Sequence, residues 1–491
     1  MNIQSQTNTS KVIKGMSSQT IVTIALGLVE IVSFSIMSRL LTADDFGYFA
    51  AISAITTVFG TFSETGIGSA IVQQKELNKR YIDNAFTISL IFGTVISISL
   101  FALSGVISRA VADESMMVPL MLMAPTLLLY CLTSVNTSLM HRKRQFMRMG
   151  MINLVSLVIT TGVAIWLAYK GYGYYAIIIR SVMGAIITFF LSLIMCHTRF
   201  GIALDKMTFK RIFSFSGWLM ASSLFRHLSH QVDKLLMPRL LSVAALGSYN
   251  RPKGFIEQIS NKLNNIFDTA LFPVLSGIQD DKKTLKSAFL RSMSLMNIFG
   301  LYISLAFLFN SGLLIRIFFG SQWESIRPVM MIISCSLLFN VDGRLSDCYL
   351  RSLALTKQQF YFRIFEFVLK TAGVLIGYRW DIIGVALSVV VTNFIAKIVK
   401  IIYVGGKVDV GIGQCIGTIV SAWQYAIVLL PVSIIARILL PDTWAGDIIM
   451  TVVFVLTSII IFLCMPKLVG KSYQDEVYSR FKIYLRKRNG N

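Results

Sequence analysis

Charged residues are scarce in this sequence, and acidic residues are scarcer than basic ones. Only 14% of its 491 residues are charged, and Lys and Arg number 46 against 24 Asp and Glu. Soluble proteins carry about 25% charged residues. No stretch of the chain is left over for a soluble domain, so the function is expected to lie within apolar segments and the short loops between them.

Cysteine and histidine are also rare, which argues against a disulfide framework and a metal site. The six cysteines lie in or beside apolar runs and form no CxxC pair, as small buried residues do. His227 and His230 are close in sequence, but no third metal ligand accompanies them. We therefore predict no metal and no other cofactor.

Signatures of catalysis and of ATP hydrolysis are missing as well. Gly470, Lys471 and Ser472 resemble the end of a phosphate-binding loop, but Met465 stands where such a loop begins with glycine. No large loop carries a cluster of Asp, Glu or His. We predict that the protein is not an enzyme and that ATP hydrolysis on this chain does not drive it.

Apolar residues are abundant and make up 55% of the sequence. The mean hydropathy is +0.69. Apolar runs of about 20 residues recur from end to end, and each is long enough to cross the hydrocarbon core of a bilayer as a helix. We predict an all-α polytopic membrane protein with about 14 transmembrane helices.

The net charge of +22 is distributed unevenly between the predicted loops. Alternate loops carry most of the Lys and Arg, whereas the loops between them hold acidic residues such as Asp44, Asp45 and Glu114. Loops rich in Lys and Arg stay in the cytoplasm, so both termini are predicted to be cytoplasmic. The same charge favours anionic lipid headgroups over nucleic acid as a partner. The basic groups assigned to the cytoplasmic side include Lys79, Arg80, Arg142, Arg148, Lys206, Lys210, Lys282, Lys286, Lys397, Lys400 and Lys407.

One short stretch occurs twice, at residues 37–48 and 237–249. Both copies read Met-x-Arg-Leu-Leu-(Ser/Thr), then three further residues, and then a large apolar residue and Gly. The Arg is suited to a helix end, and the Gly permits a tight turn into the next helix. So long an offset indicates two duplicated lobes rather than a solenoid, whose period is about 20–50 residues.

The offset between the copies spans six predicted helices, so the two lobes are predicted to run parallel in the membrane around a central cavity. Two further C-terminal helices fall outside the repeat. The predicted domains are an N-lobe of spans 1–6 at residues 1–205, a C-lobe of spans 7–12 at residues 206–408, spans 13 and 14 at residues 409–466, and a basic cytoplasmic tail at residues 467–491.

Ionisable side chains recur inside the predicted spans, where they are costly unless they face a cavity or another helix. Span 7 gathers Arg226, Asp233 and Lys234 on one helical face. Span 8 carries its polar residues on one half of its circumference, which requires either a water-filled cavity or a position in the headgroup plane. The candidate cations of a substrate-binding cavity are Arg180, Arg226, Lys234, Arg251, Lys253 and Arg344.

Buried carboxylates form a second group of candidates, because a carboxylate in a low-dielectric site responds to H⁺ or Na⁺. The candidates for ion coupling are Glu30, Glu64, Asp233 and Glu366. Any of these charges can instead belong to a structural ion pair, such as Glu366 with Lys370 or Asp347 with Arg351. The sequence leaves both interpretations open.

The residues around the repeat also carry a family resemblance. Arg39, Leu40 and Leu41, followed by residues 45–48, resemble the signature of the polysaccharide-transporter flippases. These Wzx and WzxC-like proteins belong to the multidrug/oligosaccharidyl-lipid/polysaccharide superfamily. Residues 246–251, 271–276 and 318–320 resemble further motifs of the same family.

The resemblance implies two six-helix lobes around a central cavity, plus two additional helices. It implies a flippase in the bacterial cytoplasmic (inner) membrane that moves undecaprenyl-diphosphate-linked oligosaccharide by alternating access, for capsule, exopolysaccharide or O-antigen synthesis. The expected partners are the lipid-linked substrate, membrane lipids, a polysaccharide polymerase and other assembly proteins. Arg and Lys in a low-dielectric cavity suit the anionic pyrophosphate of such a substrate.

Two other classes of function remain open at this point. A multidrug exporter, or an exporter of another lipid, would belong to the same superfamily, but a drug exporter would favour aromatic and acidic cavities that bind cations. A membrane-embedded glycan polymerase or ligase would need a catalytic loop, and the sequence shows none.

Overall fold

The structure is a computed structural model that describes most of the chain. Its backbone is described for residues 3–64, 68, 71–72, 74, 77–111, 114–198, 200–278, 281–353 and 355–464. Within these ranges, side chains are not described at residues 3–21, 62–64, 206–220, 263–270, 272–274, 339–344, 422, 425 and 462–464. The predicted basic tail at residues 467–491 lies outside the described residues.

The described backbone is helical and contains no β-strand. The helices of the first half are α1 (Ile3–Leu40), α2 (Ala43–Glu64), α3 (Lys79–Val111), α4 (Met117–Arg142), α5 (Phe146–Tyr169), α6 (Tyr175–Cys196), α7 (Lys206–Leu240) and α8 (Val243–Gly277). Those of the second half are α9 (Lys282–Phe309), α10 (Ser311–Phe318), α11 (Arg327–Ser334), α12 (Ser336–Ser352), α13 (Thr356–Gly377), α14 (Asp381–Lys407), α15 (Ile412–Leu439) and α16 (Trp444–Cys464). Short 3₁₀ turns lie at Glu114–Met116, Ser321–Ile326 and Tyr378–Trp380.

Within the described residues, 9 helical segments are long and apolar enough to cross a membrane. They include residues Val22–Leu40 of α1 and, as one continuous segment, α13 with α14 at Thr356–Lys407. The highly charged helices α7 and α8 are not among them. The all-α polytopic membrane fold is therefore confirmed, while the figure of about 14 spans stays a prediction.

A local capping sequence explains where α9 begins. Asp281 precedes α9, and its carboxylate accepts hydrogen bonds from the backbone N–H groups of Lys283 and Thr284. The Thr284 hydroxyl also donates to it, at 2.6 Å. These hydrogen bonds, above all that from the Thr284 side chain, hold the pKa of Asp281 below its ordinary value. The same contacts satisfy N–H groups that the first helical turn leaves without partners.

The chain divides into two compact units. The first unit comprises Met1–Arg251, Phe318–Gln322 and Phe360–Ser388, and the second comprises Pro252–Ile317, Trp323–Gln359 and Val389–Asn491. The lobe boundaries predicted at residues 205 and 408 were derived from the sequence repeat and not from the packing of the chain, and they stay a prediction.

The first unit is built from neighbouring helices that pack around an apolar core. Helix α3 packs on α4, α4 on α6, and α5 on both α1 and α6. Helix α2 packs on α4 and on α7. One core cluster consists of Ile71, Tyr81, Ala85, Ile88, Val135, Leu139, Met140, Ile152 and Cys196. This scaffold positions the polar side chains of α1, α6, α7 and α8 that are described below.

The segment between α6 and α7 is tied to the start of α3. The backbone N–H of Gly201 donates to Asp83 Oδ1 at 2.8 Å, and that of Asp205 donates to Asn84 Oδ1 at 2.6 Å. Between them, the N–H of Ala203 donates to Thr87 Oγ1 at 3.0 Å. All three acceptor side chains are buried, so this segment has one defined path across the end of α3.

The second unit packs α9 against α12, α15 and α11, and α15 against α16. Its core includes Leu301, Leu305, Phe309, Leu338, Ala426, Leu429, Met450, Phe454 and Ile461. At one end, the buried carboxylate of Asp447 pairs with Arg316 at 3.2 Å and with Arg437 at 3.1 Å. The two helices outside the repeat, α15 and α16, are thus held to the second unit by apolar and ionic contacts.

One part of the charge assignment was wrong. Lys397 and Lys400 do not lie in a basic cytoplasmic loop but inside α14, where they are 3% and 2% exposed. Helix α14 continues through these residues to Lys407, and α9 and α12 supply oxygen atoms for their ammonium groups. Polar partners on neighbouring helices make such burial possible.

Candidate substrate-binding site

The two copies of the repeated stretch meet within the first unit. A Cβ atom added to Gly47 would overlap the backbone carbonyl of Val243, and one added to Gly247 would overlap the carbonyl of Ala43. Each glycine therefore lets the first turn of its helix approach the other copy's backbone. The spacing that the two copies share thus has a structural reason, because it places a glycine at each point where the two backbones approach.

One face of helix α1 contributes to the same region. Glu30, Phe34 and Ser38 recur every fourth residue, so they lie on one side of the helix. Glu30 interacts electrostatically with Arg180 of α6. Phe34 and Ser38 contact Arg251 of α8.

Arg251 is held by hydrogen bonds and by two aromatic rings. Its Nε donates to Ser38 Oγ at 3.0 Å, and its Nη2 donates to the carbonyl oxygen of Phe34 at 2.7 Å. The guanidinium lies 3.5 Å from the ring centroid of Phe34 and 3.9 Å from that of Phe46. Such stacking stabilises a desolvated cation. Arg251 therefore connects the first part of α8 to the end of α1 and the start of α2, and these contacts do not depend on a ligand.

Arg180 and Arg251 are also close enough to repel each other electrostatically. Glu30 offsets part of the positive charge of Arg180. Three of the predicted site residues, from three helices, are thereby brought together. We refer to Glu30, Arg180 and Arg251 as the α1 cluster.

Residues 318–322 join the same region. The ring of Phe319 meets that of Phe34 edge-on, with centroids 5.0 Å apart. Gln322 Nε2 donates to the carbonyl oxygen of Ser38 at 2.6 Å, and Gly320 lies against the side chain of Arg39. Motifs that are far apart in the sequence therefore converge on the end of α1.

A second group of charged residues lies between α7 and α13. Arg363 Nη1 donates to Glu366 Oε2 at 2.9 Å, and Arg363 is only 8% exposed. Arg226 Nη2 lies 3.3 Å from Nε2 of His227. His227 also interacts electrostatically with Arg363. We refer to Arg226, His227, Arg363 and Glu366 as the α7 cluster.

The α7 cluster clarifies the position of two predicted site residues. Arg226 and Glu366 belong to it, and Glu366 pairs with Arg363. The suggested pairing of Glu366 with Lys370 stays a prediction. Arg363 was not among the predicted site residues. Its spacing of three from Glu366 nevertheless places the two side chains on one face of the helix. Aromatic contacts of Phe225 with Phe360 and Phe367 join the same two helices.

Asp233 forms a separate buried contact. Tyr249 donates its hydroxyl to Asp233 Oδ2 at 2.6 Å, and the backbone N–H of Lys234 donates to Oδ1 at 2.9 Å. Asp233 is 3% exposed and Tyr249 is fully buried. Through the hydrogen bond from Tyr249, Asp233 joins α7 to α8. The side chain of Lys234 is partly buried beside it.

The remaining predicted site residues lie elsewhere. Lys253, in the second unit, is buried and pairs with Glu257 at 3.7 Å. Asp347 pairs with Lys400 at 3.1 Å, and Arg351 Nε donates to the backbone oxygen of Asp347 at 3.4 Å. The suggested ion pair of Asp347 with Arg351 stays a prediction. The side chains of Glu64 and Arg344 lie outside the described residues. Among the described residues, no group of three or more His, Cys, Asp or Glu side chains is placed to hold a metal ion.

Several known proteins are similar to this chain in sequence. Residues 36–328 match the family described as "Polysaccharide biosynthesis protein". The lipopolysaccharide biosynthesis protein WzxC of Escherichia coli (strain K12) is 22% identical, with 78% of this chain and 77% of that protein covered. The succinoglycan biosynthesis transport protein ExoT of Rhizobium meliloti (strain 1021) is 20% identical, with 71% of this chain and 70% of that protein covered.

The fold is also found among solved structures. That of the lipid II flippase MurJ, in an inward closed conformation, is similar with a TM-score of 0.71, and the similarity covers 90% of this chain and 98% of that one at 16% identity. The family match, the relatives and the fold confirm the predicted resemblance to polysaccharide-transporter flippases, and they support a transport protein rather than an enzyme. With residues 36–328 of its 491 matched, which is more than half of its length, the chain belongs to the polysaccharide biosynthesis protein family.

Proposed function

We propose that the protein moves undecaprenyl-diphosphate-linked oligosaccharide across the bacterial cytoplasmic membrane for the synthesis of a surface polysaccharide. Family membership and the relatives' names support the substrate class. The observation that carries the proposal is the α1 cluster, in which Arg180 and Arg251 outnumber Glu30 within helices that are part of a membrane fold. Charges at such positions are costly unless they serve a polar path or a ligand.

In this mechanism, Arg180 binds the pyrophosphate. It is partly buried on α6, a helix long and apolar enough to span the membrane. Its planar guanidinium can bind two phosphate oxygens at once. Arg251 has two of its nitrogens engaged by Ser38 and Phe34, so it contributes mainly positive potential. Arg226, Lys234, Lys253 and Arg344 are the further candidates along the substrate path.

Access alternates between the two sides of the membrane in this proposal. The contact between residues 43–47 and 243–247 closes the side that the predicted topology places away from the cytoplasm. The transport cycle separates these two backbone segments. Both termini are cytoplasmic, and Glu30, Glu64, Asp233 and Glu366 are the carboxylates available for coupling to H⁺ or Na⁺. A polysaccharide polymerase that extends the delivered glycan is the expected partner class.

The proposal is tested with the full chain in proteoliposomes. The probe is undecaprenyl diphosphate that bears one fluorescently labelled hexose, and the measurement is its movement between leaflets. We expect Arg180→Gln to slow this movement by about tenfold or more, equivalent to one lost charge-assisted contact. Arg180→Lys should retain part of the rate, because it keeps the charge but loses the planar fork.

Arg109→Gln is the matched control, because the exposed Arg109 pairs with the exposed Glu114. Movement of the probe no faster than in empty liposomes would contradict the proposed function. Transport of a cationic dye instead would indicate a drug exporter. A normal rate for Arg180→Gln at normal abundance would remove Arg180 from the mechanism. If Arg180→Gln instead loses thermal stability and Glu30→Gln restores it, the pair is structural.

A further inference from the structure

Two neighbouring helices of the first unit end in residues that rarely adopt the backbone conformation found there. Arg144, which follows α4, has a φ of 55°, and His197, which follows α6, has a φ of 52°. These values lie in the left-handed region, where a side chain is costly and glycine is usual. Both side chains are exposed. The chain thus keeps a basic side chain at two positions that glycine would occupy more easily.

The turn after α4 is held firmly in place. The N–H of Arg144 donates to the carbonyl oxygen of His141 at 3.0 Å, and the N–H of Gln145 donates to the carbonyl oxygen five residues earlier at 2.9 Å. These two bonds form a Schellman motif, in which glycine is usual at the position of Arg144. Arg142 also anchors the turn, because its Nη1 donates to the carbonyl oxygen of Ile71 at 3.0 Å. Arg144 is therefore carried by a well-defined backbone.

Three further basic side chains lie around this turn and the end of α6. Lys143 and Arg144 directly precede α5, and Arg148 lies in the first turn of that helix. All three are exposed. Arg148 Nη1 donates to the carbonyl oxygen of Met195 at 3.4 Å, and His197 Nδ1 lies 3.1 Å from the same oxygen. We refer to Lys143, Arg144, Arg148 and His197 as the α4–α5 basic patch.

The charge of this patch is not balanced locally. Among the residues that the structure describes, no carboxylate pairs with Lys143, Arg144 or Arg148. The lysines at the start of α9 differ in this respect. Lys282 Nζ lies 3.4 Å from Asp409 Oδ2, and the same aspartate accepts a second lysine through its backbone oxygen at 2.8 Å. The α4–α5 basic patch is therefore suited to an anion from outside the chain.

Exposed apolar side chains lead away from the patch along α5. Met147, Met151, Val155 and Val158 are 44%, 43%, 43% and 51% exposed. Their spacing of four, four and three residues places them on one side of the helix, next to Arg148. Helix α5 is long and apolar enough to cross a membrane. A phospholipid whose acyl chains lie along this stripe would have its headgroup at the patch.

We propose that the α4–α5 basic patch binds the headgroup of one anionic phospholipid, in the leaflet that the predicted topology places on the cytoplasmic side. The planar guanidinium groups of Arg144 and Arg148 bind the phosphate oxygens, and the acyl chains lie on the exposed stripe of α5. The bound lipid connects the ends of α4 and α6 with the start of α5. This inference does not depend on which substrate is carried.

The test is native mass spectrometry of the purified full chain in detergent, titrated with phosphatidylglycerol or with phosphatidylcholine. We expect the wild-type chain to bind one phosphatidylglycerol about tenfold more tightly than phosphatidylcholine, or more. Lys143→Gln/Arg144→Gln/Arg148→Gln should lose most of this preference, because each cation beside an anionic headgroup adds to the attraction.

Two further variants separate headgroup binding from folding and from net charge. Arg144→Gly relieves the left-handed backbone, so its melting temperature should not fall, whereas its affinity for phosphatidylglycerol should fall several-fold. Lys282→Gln/Lys283→Gln/Lys286→Gln removes the same number of charges from another loop that is predicted to be cytoplasmic, and it should keep the preference. If the variant that lacks three cations of the patch does not fold, Arg144→Gly carries the same comparison.

Four outcomes would overturn the inference. Equal binding of the two lipids by the wild-type chain, or an unchanged preference in both patch variants, would show that the patch holds no headgroup. An equal loss in the lysine control would show a general effect of charge. Displacement of the lipid by glycerol phosphate at equal concentration would show a site for free phosphate groups. Tenfold tighter binding of undecaprenyl diphosphate than of phosphatidylglycerol would assign the patch to the transported lipid.

Discussion

The two copies of the repeated stretch use the same glycine contact but are anchored differently. In the first copy, Thr42 and Asp45 cap each other. Asp45 Oδ2 accepts from the N–H of Thr42 at 2.9 Å, and Thr42 Oγ1 accepts from the N–H of Asp45 at 3.3 Å. In the second copy, Ser242 Oγ accepts from the N–H of Ala245 at 3.0 Å. The residue that corresponds to Asp45 has no carboxylate with which to reciprocate.

The extra carboxylate of the first copy also reaches beyond the repeat. Asp45 Oδ1 accepts from the N–H of Tyr174 at 2.8 Å, which connects the start of α2 to the turn before α6. At a second position, Ser38 accepts hydrogen bonds from Arg251 and Gln322, while the corresponding residue of the second copy is Pro238. The two copies thus share a backbone arrangement but differ in their hydrogen-bond partners. Asp45 and Ser38 of the first copy accept hydrogen bonds for which the second copy has no equivalent side chain.

The largest expected effect comes from the feature that the two copies share. Gly247→Ala would place a Cβ atom on the carbonyl of Ala43, where rigid backbone cannot give way. We expect it to destabilise the protein by about 3 kcal/mol or more, the upper end of what overpacking costs. The matched control is Gly254→Ala on the same helix, which would meet nothing within 4 Å. Equal melting temperatures for the two variants would show that the copies do not approach each other as described.

An intermediate effect is expected where Arg251 meets Ser38. Arg251→Gln removes a charged donor and its stacking between Phe34 and Phe46, and we expect a loss of about 1.5–3 kcal/mol. Ser38→Ala should cost less in the Arg251→Gln background than in the wild type. A double-mutant cycle on thermal stability should give an interaction energy of about 0.5–3 kcal/mol. Strictly additive losses would indicate that the two side chains act independently.

The smallest effect concerns the caps. Asp45→Ala should destabilise the protein more than Ser242→Ala, because it removes a cap worth about 1 kcal/mol and also the acceptor of the Tyr174 N–H. Asp45→Asn should recover part of the loss, since an amide oxygen can still accept. Melting temperatures of the three variants make the comparison. A larger loss for Ser242→Ala would reverse the asymmetry drawn between the copies.

The sequence predicted the helical membrane fold and the repeat because both depend on local patterns. Apolar runs reveal spans, and a glycine at the same place in both copies reveals a shared turn. The faces of α7 and α13 were also predictable, so Arg226 and Glu366 were singled out. Partner choice was not predictable. Arg251 meets Ser38 across 213 residues, and no pattern within either helix indicates that contact.

The buried lysines show a second limit of prediction. Lys397 and Lys400 were assigned to a loop because charged residues lower the hydropathy of a predicted span. In the structure, their ammonium groups lie beside oxygen atoms of Asp347, Asn297 and the Leu338 backbone. The oxygen atoms come from α9 and α12, which are distant in sequence. Hydropathy reports the cost of burying a charge, but not whether other helices offset it.

The hydrogen bonds between the start of α3 and residues 201–205 have a consequence for synthesis. Chains generally fold from the N-terminal side as they emerge. The acceptor residues Asp83, Asn84 and Thr87 are synthesised well before residues 201–205, which supply the donors. Their hydrogen bonds therefore form only when the segment that leads into α7 has been synthesised. The last of the three contacts forms one residue before that helix begins. The start of α3 therefore fixes the position at which α7 begins.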